Sequence, residues 1–466
     1  MPELDKMTNE ELRALIKTLN EKIAALEREN EELKASLNKN SKNSSRPPSK
    51  DGFKRTPNSR EKTGNKPGGV EGHEGHRIEK PENYQELIDK GLAKYELEDH
   101  TGGSEEYVSR WVIDIKVTPV FTEHRFKRGE VPAKYKNEVI YGEEIKALSI
   151  ELTEEGMVSA ERLAEIFSSV TNGVVHPTKA AILGFEKELA DMLDPEIKAI
   201  KADIQNAPIV HVDDSPMKST QTVVREEGKE DVYKTAKGTT FNVYTRTYST
   251  QESTIFTVNP KKDQKGVERD GIITDYENTL VHDHESKFLN YGGRHGECNA
   301  HPCRELKGLA ERGIGWAGEM REFLLQMNEY KNNDLSKKIE ACDPAVLKRF
   351  DDQYKEMLIK GYVTLDKLDP KSGGYDKLRL LLKRFRKYED AHMLFMHDYA
   401  VPFTNNLAER DLRAEKTKEK VSGCFRSWSG IEGYMKIRSF ISTVKKRGLN
   451  IIDSLRSEFK GGRVFA

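Results

Sequence analysis

The chain has 466 residues, 36% of them hydrophobic and 33% charged, and its 77 Lys plus Arg balance 78 Asp plus Glu. That length predicts two to four domains at roughly 150 residues each, and no apolar run approaches the ~18 residues that would make a membrane span. The near-zero net charge does not exclude a nucleic-acid binder, since local patches decide that, while four cysteines without a CxxC pair (298, 303, 342 and 424) exclude a disulfide framework and, with an acidic, polar N-terminus that is no signal peptide, predict a cytoplasmic protein.

Residues 9 to 37 carry a heptad, with Leu12, Leu19, Leu26 and Leu33 at d and Ile16, Ile23, Asn30 and Leu37 at a. Ile at a with Leu at d favours a parallel two-stranded coil, and one Asn at a fixes register. Residues 1–38 are therefore expected to join two copies, the alternative being an amphipathic helix packed on its own domain. Residues 39–80 read as a basic flexible linker. Between Lys39 and Lys66 nine Lys or Arg face only Asp51 and Glu61, a composition that cannot bury a core but can lie along phosphates. The tether that follows, PGGVEGHEGHRIEK, adds two His, too few to close a metal shell.

Residues 81–135 read as a small mixed unit, with one or two strands in YVSRWVIDIKVTPVFTEHRF. Residues 136–205 read as helices. The TNGVVHPT break between two of them is compatible with a helix-turn-helix, although most such pairs are simply packed helices.

Residues 206–305 change character. PIVHVDDSPMK is an apolar strand running into Asp213 and Asp214, and GIITDYE is expected as another strand, ending at Asp275. Asp213 and Asp275 would then be strand-end carboxylates separated by a hairpin-like insert, with Asp214 able to replace Asp213. In ECNAHPCRELK, Cys298 and His301 have metal-like spacing, but one Cys-x-x-His is weak evidence for zinc. A helix start is expected, with His301 and Arg304 facing the active site or DNA and Cys298 packed.

Residues 306–395 have a helical pattern throughout, and LKRFRK (382–387) is a candidate DNA-facing cluster. In residues 396–450, PFTNNLAERDLR places Asn405, Glu409 and Arg413 on one helical face. Asn405 or Asn406 is expected to cap that helix. Glu409, flanked by guanidinium groups, suits a metal ligand beside phosphates; with the two Asp it would hold two hard divalent cations. The basic stretch that follows, with Lys416, Arg426 and Lys436 among its charges and Phe425, Trp428 and Tyr434 interleaved, suits a backbone track with base stacking. Residues 451–466 are expected as a tail.

These pieces, in this order, resemble the insertion-sequence 66 family of bacterial transposases of the DDE class. The matching segments are the zipper-like helix, NSSRPPSKDGFKR, KPGGVEGHEGH, VHVDDSPMK, IITDYE, ECNAHPCRELK, and NNLAERDLR followed by SGCFRSWSGIEGYMKIRSFISTVKKRGLN. The resemblance implies an α+β or α/β multidomain chain. Its RNase H-like catalytic domain would be a mixed sheet with flanking helices and a helical insertion between the second Asp and the Glu. It implies catalytic and metal-binding roles for Asp213, Asp275 and Glu409 with two Mg²⁺ (or Mn²⁺) ions, and contacts to DNA by Asn405, Asn406, Arg410, Arg413, His301, Arg304, Lys416, Arg426 and Lys436. The DNA would be the element's terminal inverted repeats and the target. The implied assembly is a homodimer or higher oligomer, with small accessory proteins of the element as further partners. One departure stands out: residues 81–135 contain no Cys, so this unit is expected to be a degenerate zinc ribbon without zinc. The competing functions are a non-catalytic DNA-binding regulator derived from a transposase and a general RNase H-like nuclease.

Overall fold

The computed structural model of the protein describes residues 8–40, 43–44, 80–100, 102–103, 105–135, 137–226 and 229–465. Most of the basic linker and of the glycine-rich tether lies outside the described residues. The first element is α1 (Asn9–Leu37), opened by a capping box in which Thr8 and Glu11 satisfy each other's backbone N–H. Its heptad seam is bare: Ile16, Leu19, Ile23, Leu26 and Leu33 are 48–64% exposed.

Between 81 and 135 the described residues hold α2 (Tyr84–Asp89) and a single 3₁₀ turn, Ala133–Tyr135. The strands expected in residues 107–126 do not form. Ile113, Ile115 and Val117 alternate with polar residues as a strand would, yet are 53–87% exposed. Alternation without a neighbouring strand leaves the backbone groups unpaired, and no ladder results.

Four helices follow, α3 (Glu143–Glu154), α4 (Ala160–Val170), α5 (Lys179–Met192) and α6 (Asp194–Asn206). Ser159 and Thr178 cap α4 and α5 through their hydroxyls. Then comes the sheet: β1 (Ile209–Ser219), a side hairpin of β2 (Gln221–Val224) and β3 (Val232–Thr235), β4 (Phe241–Ser249), β5 (Thr254–Asn259), helix α7 (Gln264–Asp270), β6 (Thr279–His282) and β7 (Arg294–Glu297). The five-stranded order is β5-β4-β1-β6-β7. On one side of β1 the neighbours are antiparallel, on the other β6 and β7 run parallel to it. The fold is thus a mixed α/β one.

GIITDYE is not a strand. Helix α7 ends at Gly271, which takes the left-handed conformation (φ 59°) that terminates helices. Ile272, Ile273 and Tyr276 then drop into the core from a turn, while Asp275 points to solvent. The strand starts later, at Thr279, and it is Asp283 that follows its last residue.

The helical insertion comprises α8 (Ala300–Ala310), α9 (Gly315–Ser336), α10 (Pro344–Lys367), α11 (Tyr375–Lys387) and α12 (Glu389–His397), built on its own apolar core around Trp316, Met320, Tyr354, Leu382 and Phe385. Gly361 is required there, because a Cβ would collide with Trp316 and Leu382. The LKRFRK cluster is split: Leu382 and Phe385 are core, and Arg384 turns inward onto Glu297 at 3.4 Å. The chain then returns to the sheet with α13 (Asn406–Asp411), α14 (Arg413–Ser422), α15 (Trp428–Lys446) and α16 (Ile451–Phe459). The segment expected as a tail contains α16, whose Leu455 and Phe459 are buried with α3, α4 and α5 against α15.

Helix α15 lies along the open edge of β5. The outward N–H groups of Thr254 and Phe256 donate to Thr443 Oγ1 (3.1 Å) and Ser439 Oγ (2.9 Å). A helix thus covers an edge that would otherwise template pairing with another chain. The aromatics expected to stack on bases are structural: Trp428 is fully buried, Tyr434 is 5% exposed, and Phe425 packs on the same cluster.

Candidate active site

Side chains of β1 alternate between two faces. Val210 and Val212 enter the core beneath α6 and α7, and Asp214 points the same way. There it meets Arg246 Nε at 2.7 Å and Lys287 Nζ at 2.6 Å. Arg246 in turn holds Asp270 at 2.6 Å, and Tyr248 donates to the same carboxylate. Asp214 is therefore committed to a buried ion-pair network. His211 and Asp213 emerge on the opposite face, and Asp213 is the acid left open.

The parallel ladder of β1 and β6 ends with Val212 opposite His282. Asp213 and Asp283 are the next residues on each strand, so their carboxylates leave the sheet side by side. Asp275 stands at the other end of β6, four residues before Thr279. At about 3.3 Å per strand residue, β6 alone puts ~13 Å between the two ends. The structure does not bring Asp275 to the site.

The third carboxylate arrives on α13, which is pinned at both ends. Asn405 sits at the N-cap position but caps nothing. Fully buried, it donates from Nδ2 to the Val212 carbonyl (2.8 Å) and accepts at Oδ1 from His211 Nδ1 (2.9 Å). Its backbone N–H donates to Cys298 Sγ at 3.2 Å. At the far end, Asp411 accepts from Ser249 Oγ (2.7 Å), Thr254 Oγ1 (2.9 Å) and Lys446 Nζ (2.6 Å). Leu407 and Ala408 fill the space beneath. Glu409 is thereby held over the two strand-end acids. This makes Asn405 a positioning residue, not one that DNA can reach.

Helix α8 completes the pocket. Asn299, just before it, bonds through its side chain to the carbonyl and ring of His392. Cys298 is packed as expected, and His301 turns to the acids. Asp283, Cys298, His301 and Glu409 bring one donor atom each to within 4.8 Å of one another. His301 Nδ1 lies 3.3 Å from Asp283 Oδ1, a charge contact off hydrogen-bond geometry. Among the described residues Glu409 Oε1 is buried without a hydrogen-bond partner, and Asp283 Oδ1 and His301 Nδ1 are buried with only each other. Buried acceptors left this way are costly unless a cation completes them.

The electrostatics agree. Burial, then the charges of Asp283, Asp214 and Glu409, push Asp213 well above the ordinary carboxylate range. Burial would raise Asp283 too, but His301 and the Arg304 charge outweigh it and hold it low. Asp283 reciprocally raises His301 against the effect of burial. This is how a site for positive charge behaves when only its acids are present. The carboxylates of Asp283 and Glu409 in this cluster are of the kind that could hold a divalent cation, with Asp213 next to them.

An open cleft of about 430 Å³ is lined by His211, Gln251, Thr404, Asn406, Arg410 and Arg413; none of the three acids lines it, although α13 supplies both its wall and Glu409. Burial pushes the His211 imidazole down to about 4, so it is neutral there. Arg410 and Arg413 are exposed and form no ion pair among the described residues, as is also true of Lys416 and Arg426. Lys436 is different: its ammonium sits 2.6 Å from Asp194 on α6. Much of the basic stretch is neutralised in this way, through Lys418 on Glu154, Arg438 and Lys445 on Glu155, Lys446 on Asp411 and Arg447 on Asp203.

Sequence reasoning missed Asp283, Asp411 and the pinning role of Asn405. The signal for the first was NTLVHD, an apolar run that, unlike IITD, does not follow directly on a helix-ending Gly.

No curated protein matches the chain. Residues 1–79 match a family of unknown function. Residues 138–433, more than half of the chain and the stretch that carries the sheet, the insertion and all three acids, match the model described as Transposase IS66 family. A sheet that gathers acids at one edge, an insertion that returns a glutamate to them and that match together place the chain in the IS66 family of transposases.

Proposed function

We propose that this transposase cuts and rejoins DNA by DDE-type chemistry on an RNase H-like catalytic domain, with Asp213, Asp283 and Glu409 as its acids. The observation that carries this reading is the clustering of Asp283, from the end of β6, with Glu409, from the helix after the insertion, next to Asp213 on the adjacent parallel strand, whose carboxyl feels both of their charges. The mixed sheet, three strands antiparallel and two parallel, supports the fold. Asp283 takes the place that the sequence reading gave to Asp275.

Two divalent cations bound there would supply activation of a water or 3′-OH and stabilisation of the leaving oxygen. The chain's own residues do the rest. Asp213, Asp283 and Glu409 would hold the positive charge. Asn405 and Asp411 keep Glu409 in place. Arg410 and Arg413, unpaired at the cleft, hold phosphates of the scissile or target strand, for which a guanidinium fork is suited. Hydrolysis at the element end frees a 3′-OH, which attacks a target phosphodiester. The bare seam of α1 pairs with that of a second copy, so that two ends are held in one assembly.

The test is a duplex carrying the terminal repeats that flank the gene, incubated with the full chain in Mg²⁺ or Mn²⁺ and in EDTA. We expect metal-dependent 3′-end cleavage and joining, abolished in Asp283→Asn and Glu409→Gln while end binding persists. Wild-type cleavage by either variant, or equal cleavage in EDTA, overturns the reading.

A further inference from the structure

We propose that Asp283, Cys298, His301 and Glu409 form a four-ligand site for a sulfur-tolerant divalent ion, for which Zn²⁺ is the match, and that its occupancy switches the DNA chemistry off. The four donors come from the end of β6, the loop after β7, the first turn of α8 and α13, and all lie within 4.8 Å of one another. Tetrahedral zinc with bonds of ~2.0–2.3 Å needs its ligand atoms roughly 3.3–3.8 Å apart. Side-chain rotation of about 1 Å closes that gap. Among the described residues Glu409 Oε1 has no hydrogen-bond partner to give up, and Asp283 Oδ1 and His301 Nδ1 would exchange only their mutual 3.3 Å contact for the ion. The fourth, Cys298 Sγ, already receives the Asn405 N–H, the kind of support that orients a ligating sulfur.

Ligand chemistry separates this ion from those of the DNA reaction. Mg²⁺ wants oxygen ligands in octahedral array, whereas one sulfur, one imidazole and two carboxylate oxygens suit Zn²⁺. Asp283 and Glu409 belong to both sets. An ion seated between Cys298 and His301 therefore withdraws two of the three acids from the catalytic arrangement. This inhibitory half rests on the catalytic reading above; the binding half does not.

The experiment uses Co²⁺ as a spectroscopic stand-in on the full, reduced chain. We expect intense visible bands of tetrahedral Co²⁺ with a near-ultraviolet thiolate-to-cobalt band, saturating at one equivalent and lost on adding Zn²⁺. Cys298→Ser, which keeps an acceptor for Asn405, should lose the near-ultraviolet band, and His301→Ala should bind Co²⁺ at least ~10-fold more weakly. Asp275→Asn should match the wild type. Weak octahedral bands alone, or a thiolate band that survives in Cys298→Ser, overturn the site. In the second arm, one equivalent of Zn²⁺ should cut Mg²⁺-dependent cleavage at least tenfold. Undiminished cleavage with zinc bound overturns the inhibitory half. Absence of cleavage with any metal overturns the catalytic reading instead and leaves the cobalt spectrum to decide the site.

Discussion

Asp213 and Asp283 are the next residues after the last register pair of two parallel strands, Val212 opposite His282, so one backbone ladder sets the spacing of both carboxylates. Asp213 lies within β1, paired with Thr247 of β4, and Asp283 is the first residue beyond β6. The relationship also separates Asp283 from Asp275, eight residues earlier and exposed.

That separation gives the first prediction. Asp283→Asn should lower strand cleavage by more than the ~10–100-fold typical of residues that merely support a metal ligand, and Asp275→Asn should stay within about twofold of wild type. Both variants are measured on the same terminal-repeat duplex in Mn²⁺. A severe loss in Asp275→Asn with an active Asp283→Asn would return the second acid to the earlier position.

The second prediction concerns the cleft. Arg410 and Arg413 are free of ion pairs, whereas Lys436 is held by Asp194 at 2.6 Å. Replacing either arginine by Ala should reduce the log–log salt slope of DNA binding by about 0.9, one phosphate contact each. Lys436→Ala should leave the slope unchanged. Equal effects from all three would mean that the ion pair opens in the complex.

Asn405 supplies the third. Truncation to Ala removes an acceptor from His211 and a donor from the Val212 carbonyl, both buried. Each group left without a partner costs about 1–3 kcal/mol. Denaturant unfolding should show that loss, and calorimetry should show weakened Mn²⁺ binding because α13 carries Glu409. Stability within about 0.5 kcal/mol of wild type would mean that the helix is held by Asp411 alone.

Much of this architecture was legible in advance, and the gaps have physical causes. The N-terminal helix, the strand that carries Asp213, the helices of residues 306–395 and the helix that carries Glu409 form where they are expected because each depends on local periodicity or spacing. IITD and TLVHD are both short apolar runs ending in Asp, and only the left-handed Gly271 ahead of the first makes it a helix end and a turn. The basic stretch after Glu409 looked like a DNA track because its counter-charges, Glu154, Glu155, Asp194 and Asp203, lie more than 200 residues away in the chain. Asn405 looked like a cap because capping is the local use of an Asn before a helix; its actual partners are on β1. The strand pattern of residues 107–126 lacked the one thing a pattern cannot supply, a second strand.

The exposed seam of α1 gives the fourth prediction. Asn30 at an a position trades stability for register and two-strand pairing. Asn30→Leu should therefore yield a tighter assembly of altered oligomer state, and Leu19→Lys should dissociate it. Sedimentation velocity checks both. An unchanged profile in the two variants would mean that α1 packs against something other than a second copy.

The fifth prediction is that two buried histidines each make a contribution to stability that is lost in mild acid. Burial pushes His211 down to about 4 and His392 down to about 3 from an ordinary value of 6.5. Both are therefore neutral in the folded chain, while the unfolded chain takes up their protons below pH 6.5. At these two groups the unfolded state binds more protons in that window, so their contribution is complete above pH 6.5 and falls as the pH drops, by about 1.4 kcal/mol per pH unit for each histidine. The decline from His211 ends near pH 4 and that from His392 near pH 3. Between pH 7 and pH 5.5 the buried carboxyls of Glu186 and Glu458, pushed up to about 7, and of Glu415, pushed up to about 8, act with the opposite sign, so the histidine contribution is read as a difference between variants. His392 keeps Nδ1 on Asn299 and has a buried Nε2 with no partner, so it has nowhere to place a second proton. Burial depresses His282 and His295 as well, so His392→Gln should remove one histidine's share, up to about 1.4 kcal/mol per pH unit, from the slope of unfolding free energy in this window, whatever it does to stability at pH 7. His100→Gln, at an exposed position, should leave the slope as it is. A slope unaffected by His392→Gln would show that this imidazole reaches water before the fold opens.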